Sequence, residues 1–304
     1  MRLCFTVFAN KFTGYGHHYR SLALARTAQQ RGHEVFVASD RQSPDGLYHI
    51  PTKYNDPASL ALALEVAKPD WLIVDVPDPF PAWIREMAKC KVAALNGIGY
   101  NQTEGLDLRV IQGHKDVELP GKQDGVPTVK GIEYVILRPE IQKYKGAART
   151  EDWLCWGGGT DPLGLLPRFT VACPGWFAVL IASPMIPVPI VTSPTHAVVR
   201  MNEGCTDIFG WMASSKASCV SFGMVVYELL YLNTLIYAFA STPLHLRFAQ
   251  PLAKQGLIKL WPKVGLPSKE EVRAFLEQDF EVPQETGIDL NGATRVMEKI
   301  EDFS

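Results

Sequence analysis

Three short stretches of this chain bring together residue types that could do chemistry. The first is Gly14-Tyr15-Gly16-His17-His18-Tyr19-Arg20, set between an apolar run and a helical pattern. Its spacing is not the G-x-G-x-x-G dinucleotide fingerprint, and it lacks the lysine of a phosphate-gripping loop. It does place His17 at the start of a helix, where the positive end of the helix dipole favours an uncharged ring. A neutral imidazole can take a proton from water or from an alcohol. The plain structural alternative is that His17 caps the helix or bonds a neighbouring loop.

The second stretch, Gly157-Gly158-Gly159-Thr160-Asp161-Pro162, follows a strand-like apolar run. Glycines there would let backbone amides approach an anionic ligand, and Thr160 or Asp161 can cap the helix that follows. A tight turn that needs positive φ accounts for the same residues equally well. In the third, Ser221-Phe222-Gly223 opens a helical stretch that contains Glu228. A carboxylate there could take the two hydroxyls of a ribose while the turn's amides hold a diphosphate. A solvated helix glutamate is the commoner case.

These side chains need elements to hold them. Leu3 to Phe8 reads as a buried strand, and a helix from about His18 to Arg31 follows, with Gly32 at its C-cap. His33 to Asp40 is a second strand, and Asp56-Pro57 opens a helix. Residues 71–76, WLIVDV, form a continuous apolar run of the kind a buried parallel strand shows, with Asp75 near its end. From Gly97 to about Gly131 turn residues accumulate, and 134–150 reads as a last strand, a short helix and a basic crossover segment. A second series of strands and helices begins at Asp152, with a capping box at Ser268–Glu271 and a final helix over about 291–302. This alternation predicts two α/β domains with parallel sheets, residues 1–145 and 146–304, facing one another across a cleft. Ligands bind such sheets at the carboxyl ends of the strands, so the loops at 9–18, 75–81, 157–162 and 221–224 should converge.

Bulk composition narrows the class. The chain has 304 residues, 47% of them hydrophobic, and a formal net charge of −2. It can bury two cores, and no global basic field points to nucleic acid or an anionic membrane. The six cysteines (4, 90, 155, 173, 205 and 219) show no CxxC pair or zinc-like spacing, so they are expected to be reduced, as in a cytoplasmic protein. The first ten residues do not read as a signal peptide, and prolines interrupt the longest apolar stretch, 176–191. His49, His114 and His196 have no partner spacing for a metal and read as loop or surface residues.

In this order and spacing the motifs resemble the GT-B superfamily of nucleotide-sugar enzymes. Gly14, Gly16, His17 and Arg20, the strand ending at Asp75, YVILRPEI (134–141), GGTDP (158–162) and the turn before Glu228 carry the likeness. Within the superfamily the chain is most similar to the UDP-sugar hydrolase of the pseudaminic-acid pathway and to related spore-coat polysaccharide glycosyltransferase-like proteins. The resemblance implies two Rossmann-like domains, with the nucleotide mainly on the second. Glu228 would bind ribose, the turns with Gly158, Gly159, Thr160, Ser221 and Gly223 would hold the diphosphate, and Gly14 and Gly16 would line the donor site. His17 matches the hydrolase's catalytic histidine, and no metal or other cofactor is required. The chain departs from the hydrolase in two places. Asp75-Val-Pro-Asp78 replaces a stretch with an aromatic hydroxyl, and Pro243-Leu-His245-Leu-Arg247 replaces an Asn-Gln pair in the sugar-binding region.

The expectation is therefore a metal-independent glycosyltransferase that moves a sugar from a UDP-sugar to an acceptor hydroxyl. His17 is the candidate base, Asp78 a second one, and His245 a sugar contact. Tyr15, His18 and Arg20, with basic and aromatic residues of the crossover (Lys143, Tyr144, Lys145, Arg149), suit an anionic or planar acceptor, a hydroxymethylated base in DNA among them. Ordinary surface charge is the simpler account of those basic residues. The alternatives are a nucleotide-sugar hydrolase and a non-catalytic nucleotide-sugar binding module.

Overall fold

Apolar runs separated by amphipathic stretches fold here into two all-parallel sheets. The computed structural model describes residues 1–8, 16–42, 46–53, 56–76, 82–95, 105–118, 125–159, 161–173, 175–182, 195–200, 207–281 and 285–304. The first sheet has seven strands: β1 (Arg2–Val7), β2 (Glu34–Ser39), β3 (Tyr48–Pro51), β4 (Trp71–Asp75), β5 (Lys91–Leu95), β6 (Leu108–Gln112) and β7 (Thr128–Gly131). Their spatial order is β3-β2-β1-β4-β5-β6-β7. Helices α1 (Gly16–Gln30), α2 (Pro57–Ala67) and α3 (Ala82–Met87) are its crossovers.

The second sheet has six strands: β8 (Glu151–Trp156), β9 (Ala178–Ala182), β10 (His196–Arg200), β11 (Ser215–Ser221), β12 (Leu235–Ala240) and β13 (Lys259–Val264). They run in the order β10-β9-β8-β11-β12-β13. Helices α4 (Leu165–Ala172), α5 (Ile208–Ser214), α6 (Met224–Tyr231), α7 (Pro243–Lys254) and α8 (Lys269–Leu276) accompany it, and α9 (Gly292–Asp302) follows. In both sheets the chain winds outward in one direction from the first strand and then in the other. The reversal falls between β1 and β4 and between β8 and β11, and such switch points are where parallel sheets bind ligands.

The chain divides into one unit of Met1–Pro139 with Asp289–Ser304 and a second of Glu140–Ile288. This corrects the expected division at 145/146, because the last helix belongs to the first unit. Val296, Met297 and Ile300 of α9 are fully buried in one core with Leu22, Ala25 and Ala28 of α1. Each fully buried apolar side chain of this size contributes about 1.5–3 kcal/mol. Backbone contact is just as close: a Cβ on Gly292 would lie 2.0 Å from the Val135 carbonyl oxygen. At its far end α9 is held by Glu301, which accepts from Arg31 Nε at 2.9 Å and bonds His33 Nε2 at 2.7 Å.

Three strands of the first sheet escaped the sequence pattern. β3 and β7 are four residues long, and β6 carries Arg109 and Gln112, buried polar residues that interrupt its apolar run. Gln112 is accommodated because its side-chain oxygen accepts the Ile136 amide at 3.0 Å. The strand expected to open the 134–150 segment is absent. Ile132–Tyr134 and Pro139–Tyr144 are short 3₁₀ segments flanking an extended stretch, as a proline without an N–H dictates. Among the described residues no helix is long and apolar enough to cross a membrane. The five described cysteines are unpaired. Burial pushes the Cys4 thiol up to about 12.

Two measurements check how α9 is held. Gly292→Ala should lower unfolding stability by about 1–3 kcal/mol in urea, since its methyl meets backbone that cannot swing aside. The Glu301 carboxyl is lowered from 4.5 to about 2, chiefly by its hydrogen bond from Arg31. A depressed carboxyl stabilises above its unfolded pKa and loses that contribution as pH falls. The stability difference between wild type and Glu301→Gln should therefore be full at pH 6 and shrink as the pH drops from 4.5 towards 2.

Candidate functional site

The switch point of the first unit is built around one carboxylate. Asp75 ends β4, level with Val7 of β1, and is completely buried. A buried carboxylate must be paired and hydrogen-bonded to stay ionised. Its partners come from a single face of α1, because residues at i, i+3 and i+4 project together. His17 Nδ1 lies 2.6 Å from Oδ1, Arg20 Nε donates to Oδ2 at 2.6 Å, and the Ser21 hydroxyl donates to Oδ2 at 2.7 Å. A terminal nitrogen of Arg20 donates to Oδ1 as well, completing a two-pronged pairing. Burial by itself would raise the Asp75 pKa. The Arg20 charge first and His17 second, with their hydrogen bonds, outweigh it and hold the group well below the usual carboxylate range.

This arrangement fixes the histidine's tautomer. An ionised carboxylate only accepts, so at 2.6 Å the Nδ1 atom must carry the proton. In the neutral ring Nε2 then holds the lone pair, and the ring is about one-quarter exposed. Nδ1 is also 3.0 Å from Arg20, whose proton-bearing nitrogen is directed to Asp75. The result is an imidazole oriented by a buried carboxylate, an arrangement that could accept a proton at Nε2.

The expectation that Arg20 contacts an acceptor is corrected: it is 5% exposed and committed to Asp75. His18, expected on the same surface, is 6% exposed, and Gly16 is the exposed first residue of α1. Arg149 of the crossover is likewise engaged, donating to the Ser215 carbonyl at 3.1 Å and to Thr234 Oγ1 at 3.0 Å. Lys143 and Lys145 lie over the rings of Tyr144 and Tyr231. His114 lies in the loop after β6, as expected, but is buried and accepts the Asp116 amide at 3.2 Å, whereas His49 and His196 sit in strands. Gly14, Tyr15, Asp78 and Thr160 lie outside the described residues.

In the second unit the two turns at the switch point differ in a way the sequence did not reveal. After β8, the Asp161 carboxylate accepts the amides of Leu165 at 2.7 Å and Leu166 at 3.1 Å. It thereby closes the N-terminus of α4. Gly157 makes room for it, since a Cβ there would meet Asp161 Oδ1 at 2.0 Å. Gly158 adopts φ +84° and faces open space. After β12, the Thr242 hydroxyl accepts the His245 amide and caps α7. After β11, Gly223 leads into α6 with no side-chain cap, and it too has open space where a Cβ would be. Asp161 and Thr242 thus cap α4 and α7, whereas Gly223 brings no side chain to the start of α6.

Ser221 is buried at the end of β11, and Glu228, expected in the commoner case to be solvated, is 6% exposed on α6. The His245 ring packs beside Phe222 at 6.1 Å, and its Nδ1 lies 2.8 Å from Ser241 Oγ. Burial lowers the His245 pKa, so the ring is neutral at physiological pH.

A scan against known protein-family models finds no match, and neither does a comparison with curated proteins. Solved structures do align over almost the whole chain. The S. aureus MnaA–UDP co-structure matches with a TM-score of 0.67 at 11% identity, covering 100% of this chain and 97% of that one. The spinosyn forosaminyltransferase SpnP matches at 0.62 and 13% identity, covering 99% and 95%. The MurG of Acinetobacter baumannii matches at 0.58 and 12% identity, covering 99% and 100%. At these identities the likeness defines the architecture, and the chain has the GT-B fold.

Asp75→Asn keeps the shape and removes the charge that Arg20 and His17 need. It should cost about 3–5 kcal/mol in urea unfolding, as when one partner of a buried ion pair is lost. Ser21→Ala, which removes one neutral donor, should cost only about 1 kcal/mol.

Proposed function

We propose that the chain is a glycosyltransferase that moves a sugar from a nucleotide-sugar, a UDP-sugar in the first instance, to an acceptor hydroxyl. The observation that carries this reading is the His17–Asp75 pair at 2.6 Å, with Nε2 left as the proton acceptor. The uncapped start of α6, followed by the buried Glu228, supports a nucleotide diphosphate on the second unit. The named activity of SpnP and the UDP held by MnaA, proteins of the same architecture, agree with it.

The reaction follows from these parts. The acceptor hydroxyl gives its proton to His17 Nε2 as its oxygen attacks the anomeric carbon. The bond from that carbon to the diphosphate breaks, and the electron pair leaves with the diphosphate. Amides at the start of α6, which Gly223 lets a ligand approach, stabilise the charge that develops there. The Gly158–Gly159 turn offers backbone to the same anion, but the α4 N-terminus does not, because Asp161 already fills it. Glu228 takes the ribose hydroxyls, and His245, neutral and beside Phe222, faces the sugar. Asp75 accepts the Nδ1–H hydrogen bond throughout, stays ionised and stabilises the imidazolium that forms.

His17→Ala should lower turnover about 10²–10⁴-fold, the usual contribution of a general base, with UDP affinity unchanged. Glu228→Ala should instead weaken UDP binding about tenfold or more, as loss of charge-assisted hydrogen bonds does. The assay pairs UDP-sugars with a panel of acceptors that includes hydroxymethylated DNA. UDP release only with acceptor supports transfer. Release without any acceptor identifies a hydrolase, and binding without release identifies a binding module.

A further inference from the structure

The N-terminus of α1 has a second side. His17, Arg20 and Ser21 turn towards β4, whereas His18 turns towards the ends of β2 and β3. Val7 pairs with Asp75 on one side and with Ser39 on the other, and Ser39 pairs with Pro51, so the four strand ends are level. The Ser39 carbonyl is the hub of this edge. It accepts from His49 Nε2 at 3.2 Å and from the Thr52 amide at 2.9 Å, while the Ser39 hydroxyl donates to the Arg41 carbonyl at 2.6 Å.

Two polar groups at this edge are buried without a hydrogen-bond partner among the described residues. They are His18 Nδ1, in a residue 6% exposed, and Thr52 Oγ1, in a residue 3% exposed. A buried group left unbonded is costly, and such exceptions mark places where something else completes the site. The half-buried Arg41 and His49 stand at the rim. The first turn of α1 adds no acidic residue, and the acidic residue of this edge, Asp40, is exposed between Ser39 and Arg41.

We propose that this edge is an oxyanion subsite, in which Arg41 and His49 at the rim and His18 and Thr52 at the floor take a phosphate or carboxylate carried by the acceptor. It rests on the reading of His17 as the base that faces the acceptor, and it assigns that acceptor to a chemical class: a hydroxyl compound that also bears an anionic group. Arg41 supplies a permanent cation, Thr52 a neutral donor, and His18 a switchable one. In the free protein the His18 pKa is lowered to about 4, by burial first and then by Arg41 and His49, both pushing the same way. An anion among these groups works against that lowering, so the His18 pKa rises as the ligand enters.

The test reads binding without turnover, which separates it from the base assignment. The full chain, with histidine rings labelled for NMR, is titrated with inorganic phosphate in one series and acetate in another. Saturable binding with a rise of the His18 pKa by about one unit or more is expected. Arg41→Gln should weaken phosphate binding about tenfold, and His17→Ala should leave it unchanged. A response to acetate as well as phosphate extends the subsite to carboxylates. A His18 ring that does not respond, an unaltered response in Arg41→Gln, or a response confined to His245 overturns the proposal.

Discussion

A carboxylate in a place with no water governs the first half of this protein. Asp75 closes a strand of otherwise apolar residues and sits under α1, so its charge must be met by groups from that helix. Arg20 and Ser21 meet it from one face, and that fixes both the rotation of α1 and its height over β1 and β4. His17 then has little freedom. It lies one turn nearer the helix start on the same face, so the pairing that satisfies Asp75 also decides which imidazole nitrogen is free. Stability and chemistry are thus set by the same hydrogen bonds.

The second unit applies an opposite rule at its own switch point. There the useful feature is a helix start left without a side-chain cap. Asp161 closes α4 and Thr242 closes α7, while α6 begins at a glycine that offers no side chain. The start of α6 carries the positive end of the helix dipole and no capping side chain from Gly223, the features by which a helix end attracts an anion.

Much of the fold was legible because its signals are periodic. Continuous apolar runs gave β1, β4, β8 and β11, and the capping residues Asp56 and Ser268 marked helix starts that the structure bears out. The short strands β3, β6 and β7 were not legible, since four or five residues with buried polar members carry no such period. Nor was the return of α9 to the first core: its apolar stripe specifies burial and leaves the partner open. In the site, His17 was found from its place after a glycine turn, but its pairing with Asp75 was missed. The signal was present in an acid ending a buried strand and in the spacing of His17, Arg20 and Ser21. Arg20 was assigned to the ligand because a sequence does not show which charges are already spoken for. The closure of α4 by Asp161 was foreseen as a cap, though its consequence for anion binding was not.

The account stands on the tautomer of one ring. Nitrogen-15 chemical shifts of His17 in the ligand-free protein at neutral pH distinguish a protonated Nδ1 from a protonated Nε2. The geometry requires the proton on Nδ1 in the wild type, and loss of that preference in Asp75→Asn. A wild-type ring protonated at Nε2 would leave no lone pair facing a substrate and would contradict the assignment.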